Sequence, residues 1–326
     1  MPELSLIASL VGGLLVLGIA GDLLVNGAVS LGSRLGLSPL VAGIFIVGFG
    51  TSAPEMIVAL DAAQSGYPNL ALGNIVGSNI ANVLLVLALP AIIAPISTGN
   101  WGQGTAWTAM ALATAAWIAF LSTMGLNASV AGLFLIALVG YAIFTFVAAK
   151  AATDAGIDTG VEASGPAPSG LARAVGFTLI GIVGLPLGAQ LIVEGGVEIA
   201  QFYGVPQELI GLTLLAVGTS LPEIGAGVAS ALRAKTDVLV GNVLGSNIFN
   251  ILGAGGLISF VGVSELAPSF ENYDHWAMAA AAALLGILIL FRLRIGRLSG
   301  VIMLLLYATY IYGLVNGWNI REMVGV

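Results

Sequence analysis

Gly50-Thr51-Ser52-Ala53-Pro54-Glu55 and, 168 positions later, Gly218-Thr219-Ser220-Leu221-Pro222-Glu223 are polar islands inside apolar segments. The same offset aligns Gly73-Asn74 with Gly241-Asn242, Gly77-Ser78-Asn79-Ile80 with Gly245-Ser246-Asn247-Ile248, and Asn82 with Asn250. Read backwards, it pairs Gly27 with Gly195, Gly36 with Gly204 and Gly43 with Gly211, whereas Gly21 falls opposite Ala189. An ungapped repeat carrying a carboxylate and a proline in an apolar background governs the reading of the remaining sequence.

That background is 58% hydrophobic and 8% charged, with a mean hydropathy of +1.06, against about 25% charged in an ordinary soluble domain. The chain therefore reads as an integral membrane protein with no sizeable soluble domain. Continuous apolar runs of bilayer-crossing length point to helices, since barrel strands are short and alternate polar with apolar residues. The net charge of -7 comes from scattered acids, and no basic patch offers a nucleic-acid surface. The absence of cysteine excludes disulfides, thiolate zinc sites and thiol catalysis, and the single His275 excludes a histidine cluster. Beside Trp276, His275 is expected at the membrane interface. The N-terminus lacks the basic region of a signal peptide and is read as a retained span.

Breaks marked by Gly, Pro, Asn or charge predict ten spans, near 4–31, 38–63, 70–96, 105–122, 128–149, 170–201, 207–232, 238–262, 276–292 and 298–316. Eight of the nine Lys and Arg residues fall in odd-numbered connections, and only Arg321 falls elsewhere. The positive-inside rule then puts the odd connections in the cytoplasm and both termini outside the cell (inner) membrane. Five spans per half make the second half enter the membrane upside down. The expected fold is all-α and polytopic: ten transmembrane helices in two inverted five-helix repeats, 1–150 and 170–326, joined by a cytoplasmic linker at 151–169. Asp154, Asp158 and Glu162 in that region lack the density and glycine of a calcium loop. Asn127-Ala128-Ser129 matches a glycosylation acceptor only as a short pattern.

Pro54 has no N–H for the carbonyl of Gly50, and Pro222 none for that of Gly218. Within a membrane such carbonyls need protein, water or an ion. Thr51, Ser52 and Glu55 share a helix face by spacing, as do Thr219, Ser220 and Glu223. Asn74, Ser78 and Asn82 form a stripe spaced by four, repeated by Asn242, Ser246 and Asn250. Hydroxyls, amides and carboxylates are hard oxygen ligands suited to calcium or sodium. Singly, the hydroxyl and amide residues read as hydrogen-bonding glue between helices. A carboxylate deep in a span is a functional candidate by default, and Glu55 and Glu223 are duplicated with their neighbours. Asp22 and Glu194, unmatched by the repeat at Gln190 and Asn26, read equally as interfacial, gating or ligand residues.

On the paired Gly-Thr-Ser-x-Pro-Glu and Gly-Asn-x-x-Gly-Ser-Asn motifs, within 48–82 and 216–250, the chain resembles the calcium/cation antiporter superfamily. Its Ser-Asn-Ile-x-Asn form is similar to the prokaryotic sodium/calcium exchanger branch. The resemblance implies a calcium site made by Glu55, Glu223 and the carbonyls of Thr51 and Thr219. It implies sodium sites completed by Ser52, Ser78, Ser220, Ser246 and the carbonyls of Gly48 and Ala216, with Asn82 and Asn250 lining the centre. It also implies that spans 1 and 6 slide as the gate, eased here by Gly27 and Gly195. Asn250 stands where potassium-dependent members carry Asp, so potassium dependence is not expected. The implied activity is calcium/sodium antiport with no cofactor, the ions and the bilayer being the partners. A calcium/proton or other cation/proton antiporter is the alternative, ahead of a channel and a membrane enzyme.

Overall fold

The computed structural model describes residues 4–160, 170–204, 216–262, 270–320 and 322. Among these, nine helices are long and apolar enough to cross a bilayer. In chain order the helices are α1 (Leu4–Arg34), α2 (Pro39–Gln64), α3 (Pro68–Ile93), α4 (Gln103–Thr123), α5 (Ala128–Asp154) and α6 (Leu171–Phe202). They continue as α7, described from Ala216 in two pieces (Ala216–Thr219 and Leu221–Leu232), α8 (Thr236–Ser259), α9 (Phe270–Leu290) and α10 (Arg297–Val315). The expected linker residues 161–169, Glu162 among them, lie outside the described residues, as does the first part of the expected seventh span.

Helices dominate because a bilayer offers no water to unpaired backbone groups. Their starts carry ordinary capping chemistry. Ser38 Oγ accepts from Val41 N at 3.3 Å, with Pro39 in the first turn of α2. Asn127 Oδ1 accepts from Ser129 N and Val130 N, so the Asn-Ala-Ser triplet caps α5 in this fold. α9 begins six residues before its expected start, because Glu271 and Asp274 lie in a π-helical turn rather than in a loop. Asp274 is buried there and accepts from the Tyr310 hydroxyl at 2.9 Å. His275 is likewise buried, against Phe270, while Trp276 is exposed. Neighbours on a helix point about 100° apart, so at the start of α9 Trp276 faces outward while His275 faces the protein interior.

Connections establish the relative orientation of the halves. The α3–α4 connection pairs Ile96 with Ile295, hydrogen-bonds Thr98 Oγ1 to the carbonyls of Leu288 and Leu293, and joins Asn100 to Asp237 at 2.8 Å. It therefore shares an end of the molecule with the α7–α8 and α9–α10 connections. Their offset-168 counterparts in the first half are the α2–α3 and α4–α5 connections, which alternation puts at the end opposite α3–α4. The second repeat is thus inverted relative to the first, and the odd connections expected to be cytoplasmic gather at one end.

α8 is buried along its whole crossing, whereas only a minor share of α1 and α6 is buried. Those two pack antiparallel on each other through glycine: a Cβ at Gly13 would sit 2.8 Å from Gly188 O, and one at Gly188 2.7 Å from Leu17 N. Gly27 meets Thr178 and Ala174, and Gly195 meets Leu6 and Leu10. Backbone-to-backbone contact of this kind is how membrane helices associate without a hydrophobic driving force. The main core lies around α3 and α8, with Leu72, Ile75, Ile80, Leu239 and Trp117 fully enclosed.

Candidate cation site

The repeated prolines stand in two helical settings: Pro54 inside the continuous α-helical stretch Phe49–Gln64, Pro222 in the first turn of Leu221–Leu232. In α2 the chain is wound as a π-helix over Gly43–Gly48, just ahead of Pro54. Such turns are concentrated at functional positions. Gly48, the last residue of that turn, accepts from Thr51 Oγ1 at 3.3 Å and from Ser246 Oγ at 3.4 Å. In α7 the helix is interrupted at Ser220, and a new helix opens with Leu221 and Pro222, placing Glu223 in its first turn. Further π turns occupy Asn82–Val86 in α3 and Phe249–Ala254 in α8, at the ends of the two polar stripes.

These distortions gather residues of both repeats. Glu55 is 3% and Glu223 1% exposed, and the two carboxyl groups are neighbours. Ser52 Oγ donates to Glu223 Oε1 at 3.5 Å. Thr51 Oγ1 donates to Asn242 Oδ1 at 3.2 Å and lies 3.4 Å from Ser246 Oγ. Asn82 Nδ2 donates to Asn247 Oδ1 at 3.0 Å. Five buried oxygens of the expected set have no hydrogen-bond partner among the described residues: Glu55 Oε2, Glu223 Oε2, Ser220 Oγ, Asn82 Oδ1 and Asn250 Oδ1. An unpartnered buried acceptor costs about 1–3 kcal/mol, more when charged, and carboxylate, hydroxyl and amide oxygens are the ligand types that hard cations take. No three Asp, Glu, His or Cys side chains cluster among the described residues, so the acid complement of the locality is two carboxylates.

Other expected residues are placed less centrally. Ser78 is buried on α3, and Thr219 is half-buried at the end of the first piece of α7, which Ala216 opens. Asn74 turns its amide to the backbone carbonyl of Glu55 at 3.2 Å. Asp22 is bound by Arg233, and Glu194 is exposed and accepts from Gln190 on its own helix. Asn79 and Asn247 were not singled out by the spacing of four, yet each is buried. Their signal is the i,i+3 relation to Asn82 and Asn250, which a strict spacing of four passes over. Asn247 holds the Asn82 amide by its nitrogen, leaving the Asn82 oxygen unpartnered.

The sodium/calcium exchanger protein profile matches residues 5–147 and 173–316, which spans both repeats and most of the chain. The chain belongs to the sodium/calcium exchanger family. It is 36% identical to CaxA of Alkalimonas amylolytica over 304 residues, covering 92% of this chain and 95% of that protein. It is 32% identical to the inner membrane protein YrbG of Escherichia coli (strain K12), over 86% of this chain and 87% of YrbG. Among solved structures, the sodium-calcium exchanger NCX_Mj soaked with zero Na+ and Ca2+ superposes with a TM-score of 0.80 at 28% identity. That match covers 96% of this chain and 100% of NCX_Mj. The exchanger family membership makes this chain a multi-pass cation transporter rather than an enzyme, and the all-α inverted-repeat fold expected from the sequence is the family's fold.

Proposed function

We propose that this exchanger carries calcium one way and sodium the other through one shared midplane site, by alternating access. The observation that carries the reading is the set of five unpartnered buried oxygens contributed by both repeats, among them one from each of the adjacent carboxylates Glu55 and Glu223. In this reading Glu55, Glu223 and the carbonyls of Thr51 and Thr219 hold calcium. Ser52, Ser78, Ser220, Ser246 and the carbonyls of Gly48 and Ala216 serve sodium, and Asn82 and Asn250 line the centre. Two desolvated carboxylates resist exposure to the membrane interior. One calcium, or two or more sodium ions, neutralises them, so the loaded carrier reorients and the empty one does not. That coupling is antiport.

The repeats 1–150 and 170–326, joined by the 151–169 linker, are the two working halves, with both termini outside the cell (inner) membrane. Inverted repeats whose interrupted helices meet at the midplane are the usual architecture of such carriers. Calcium flux into vesicles containing the purified protein tests the proposal. Uptake should follow an outward sodium gradient and should not follow a pH gradient imposed without sodium. Equal uptake driven by protons alone would overturn the sodium assignment in favour of a cation/proton antiporter, and calcium movement without any counter-ion would indicate a channel.

A further inference from the structure

A second site lies at the end where α4 starts and α9 stops. A crevice of about 470 Å³ opens there, lined by Gly99–Gly102, Gly104 and Thr105 on one side and Ile289, Leu290 and Arg292 on the other. Both helices leave the membrane at this level, so the crevice stands at the depth of lipid headgroups. Trp101 sits at its edge, as tryptophan does at bilayer interfaces. Leu290, Phe291 and Leu293 around it are exposed.

Its charge is unbalanced. The guanidinium groups of Arg292 and Arg294 have no ion-pair partner among the described residues. No acidic residue lines the crevice. The nearby Asp237 carboxylate is already engaged by the amides of Asn100 and Gln103, each at 2.8 Å. Arg292 also occupies a backbone position that suits glycine: φ is 53°, at the residue that ends α9 with Leu293 N bonded back to Leu288 O at 2.8 Å. Its side-chain stem lies over Gly99, where a Cβ could not fit. A cation near a helix C-terminus is favourable anywhere in the last turn, which does not account for placing it at the left-handed residue. That strain is explained if the side chain must stand over the crevice.

We propose that this crevice binds the headgroup of an anionic phospholipid from the leaflet on the basic side of the membrane. Arg292 meets the phosphate, the glycine-rich Gly99–Gly102 turn allows the headgroup close to the backbone, and the acyl chains run along the exposed Leu290 side. Each basic residue near an anionic surface contributes about 1 kcal/mol, close to fivefold in affinity.

The full-length protein reconstituted in nanodiscs of phosphatidylglycerol titrated into phosphatidylcholine, then examined by native mass spectrometry, tests the assignment. Wild type should retain phosphatidylglycerol, Arg292→Lys should stay within about twofold, and Arg292→Gly should weaken retention about fivefold. Arg173→Gln removes a cation expected at the same end but outside the crevice, and should leave retention unchanged. Because glycine suits the left-handed position, Arg292→Gly should melt at or above wild type in pure phosphatidylcholine, which separates lost lipid from lost fold. Should it melt lower, Arg292→Gln becomes the variant compared with Arg292→Lys. Equal retention with and without the Arg292 charge, or equal losses from Arg292 and Arg173 variants, would overturn the site. Displacement of the lipid by millimolar inorganic phosphate would assign the crevice to a free anion and overturn the lipid.

Discussion

Thr51 and Thr219 hold equivalent places in the two repeats, yet Thr51 is 1% exposed and bonded across to Asn242, whereas Thr219 is half-buried. The inequality extends through the motif. Ser52 Oγ reaches Glu223 while Ser220 Oγ has no partner among the described residues. Asn242 receives a hydroxyl, while its counterpart Asn74 turns to the backbone of Glu55. Asn82 is held by Asn247, and neither polar atom of the Asn250 side chain is held by any described group. Near-identical sequences thus adopt two arrangements in one molecule. In the proposed mechanism the halves exchange those arrangements when the carrier turns over, which is how an inverted repeat supplies two states of similar energy.

The largest effect should ignore this asymmetry. Glu55→Gln and Glu223→Gln each remove one charge from a desolvated site, a loss on the order of 3 kcal/mol, or roughly 100-fold in ion affinity. Sodium-driven calcium flux should fall to background in both. Near-wild-type flux in either variant would break the shared site apart and leave two independent half-sites.

A glycine substitution tests the tight packing between the repeats. A Cβ at Gly245 would lie 2.6 Å from Ile44 O and 2.7 Å from Ile44 Cα. Gly245→Ala should therefore cost about 1–3 kcal/mol through overpacking. Thermal unfolding in detergent measures the loss, and an unchanged melting temperature would show that α8 can draw away from α2 at no cost.

Much of this architecture is legible in the sequence. Periodic breaks placed most boundaries of the described spans within a few residues, the start of α9 and the end of α5 excepted, since continuous apolarity leaves helices as the one economical answer in a bilayer. The duplicated motif indicated the locality because buried carboxylates are rare enough to be informative. Three things were not legible. The π turns at Gly43–Gly48, Asn82–Val86 and Phe249–Ala254 depend on how backbone bonds redistribute locally, which composition does not encode. The role of Asn247 depends on a contact with a residue 165 positions away. The unequal half-sites could not be read because the two stretches are nearly the same string, and only packing distinguishes them.

Asp22 supplies the smallest expected effect and the sharpest test of asymmetry. Its carboxylate receives Arg233 Nε at 2.6 Å and a second guanidinium nitrogen at 2.8 Å, joining α1 to the end of α7 beside the Gly21–Gly225 contact. The offset-equivalent positions are Gln190 and Ser65, which cannot form an ion pair, and Gln190 instead bonds Glu194 on α6. Only one of the two long peripheral helices therefore carries this tether. Arg233 and Asp22 side chains are 38% and 46% exposed, so solvent screening limits the pair to about 0.2–1 kcal/mol, and less at high salt. A double-mutant cycle of Asp22→Asn and Arg233→Gln should return a coupling in that range that fades toward 1 M salt, and the charge-swapped pair should recover most of it. A bias of this size alters the ratio of two carrier states by at most about fivefold, enough to favour one without trapping it. If the coupling instead exceeded about 2 kcal/mol and survived salt, the tether would be a fixed strut, and α1 could not shift relative to α7 as the exchange of arrangements requires.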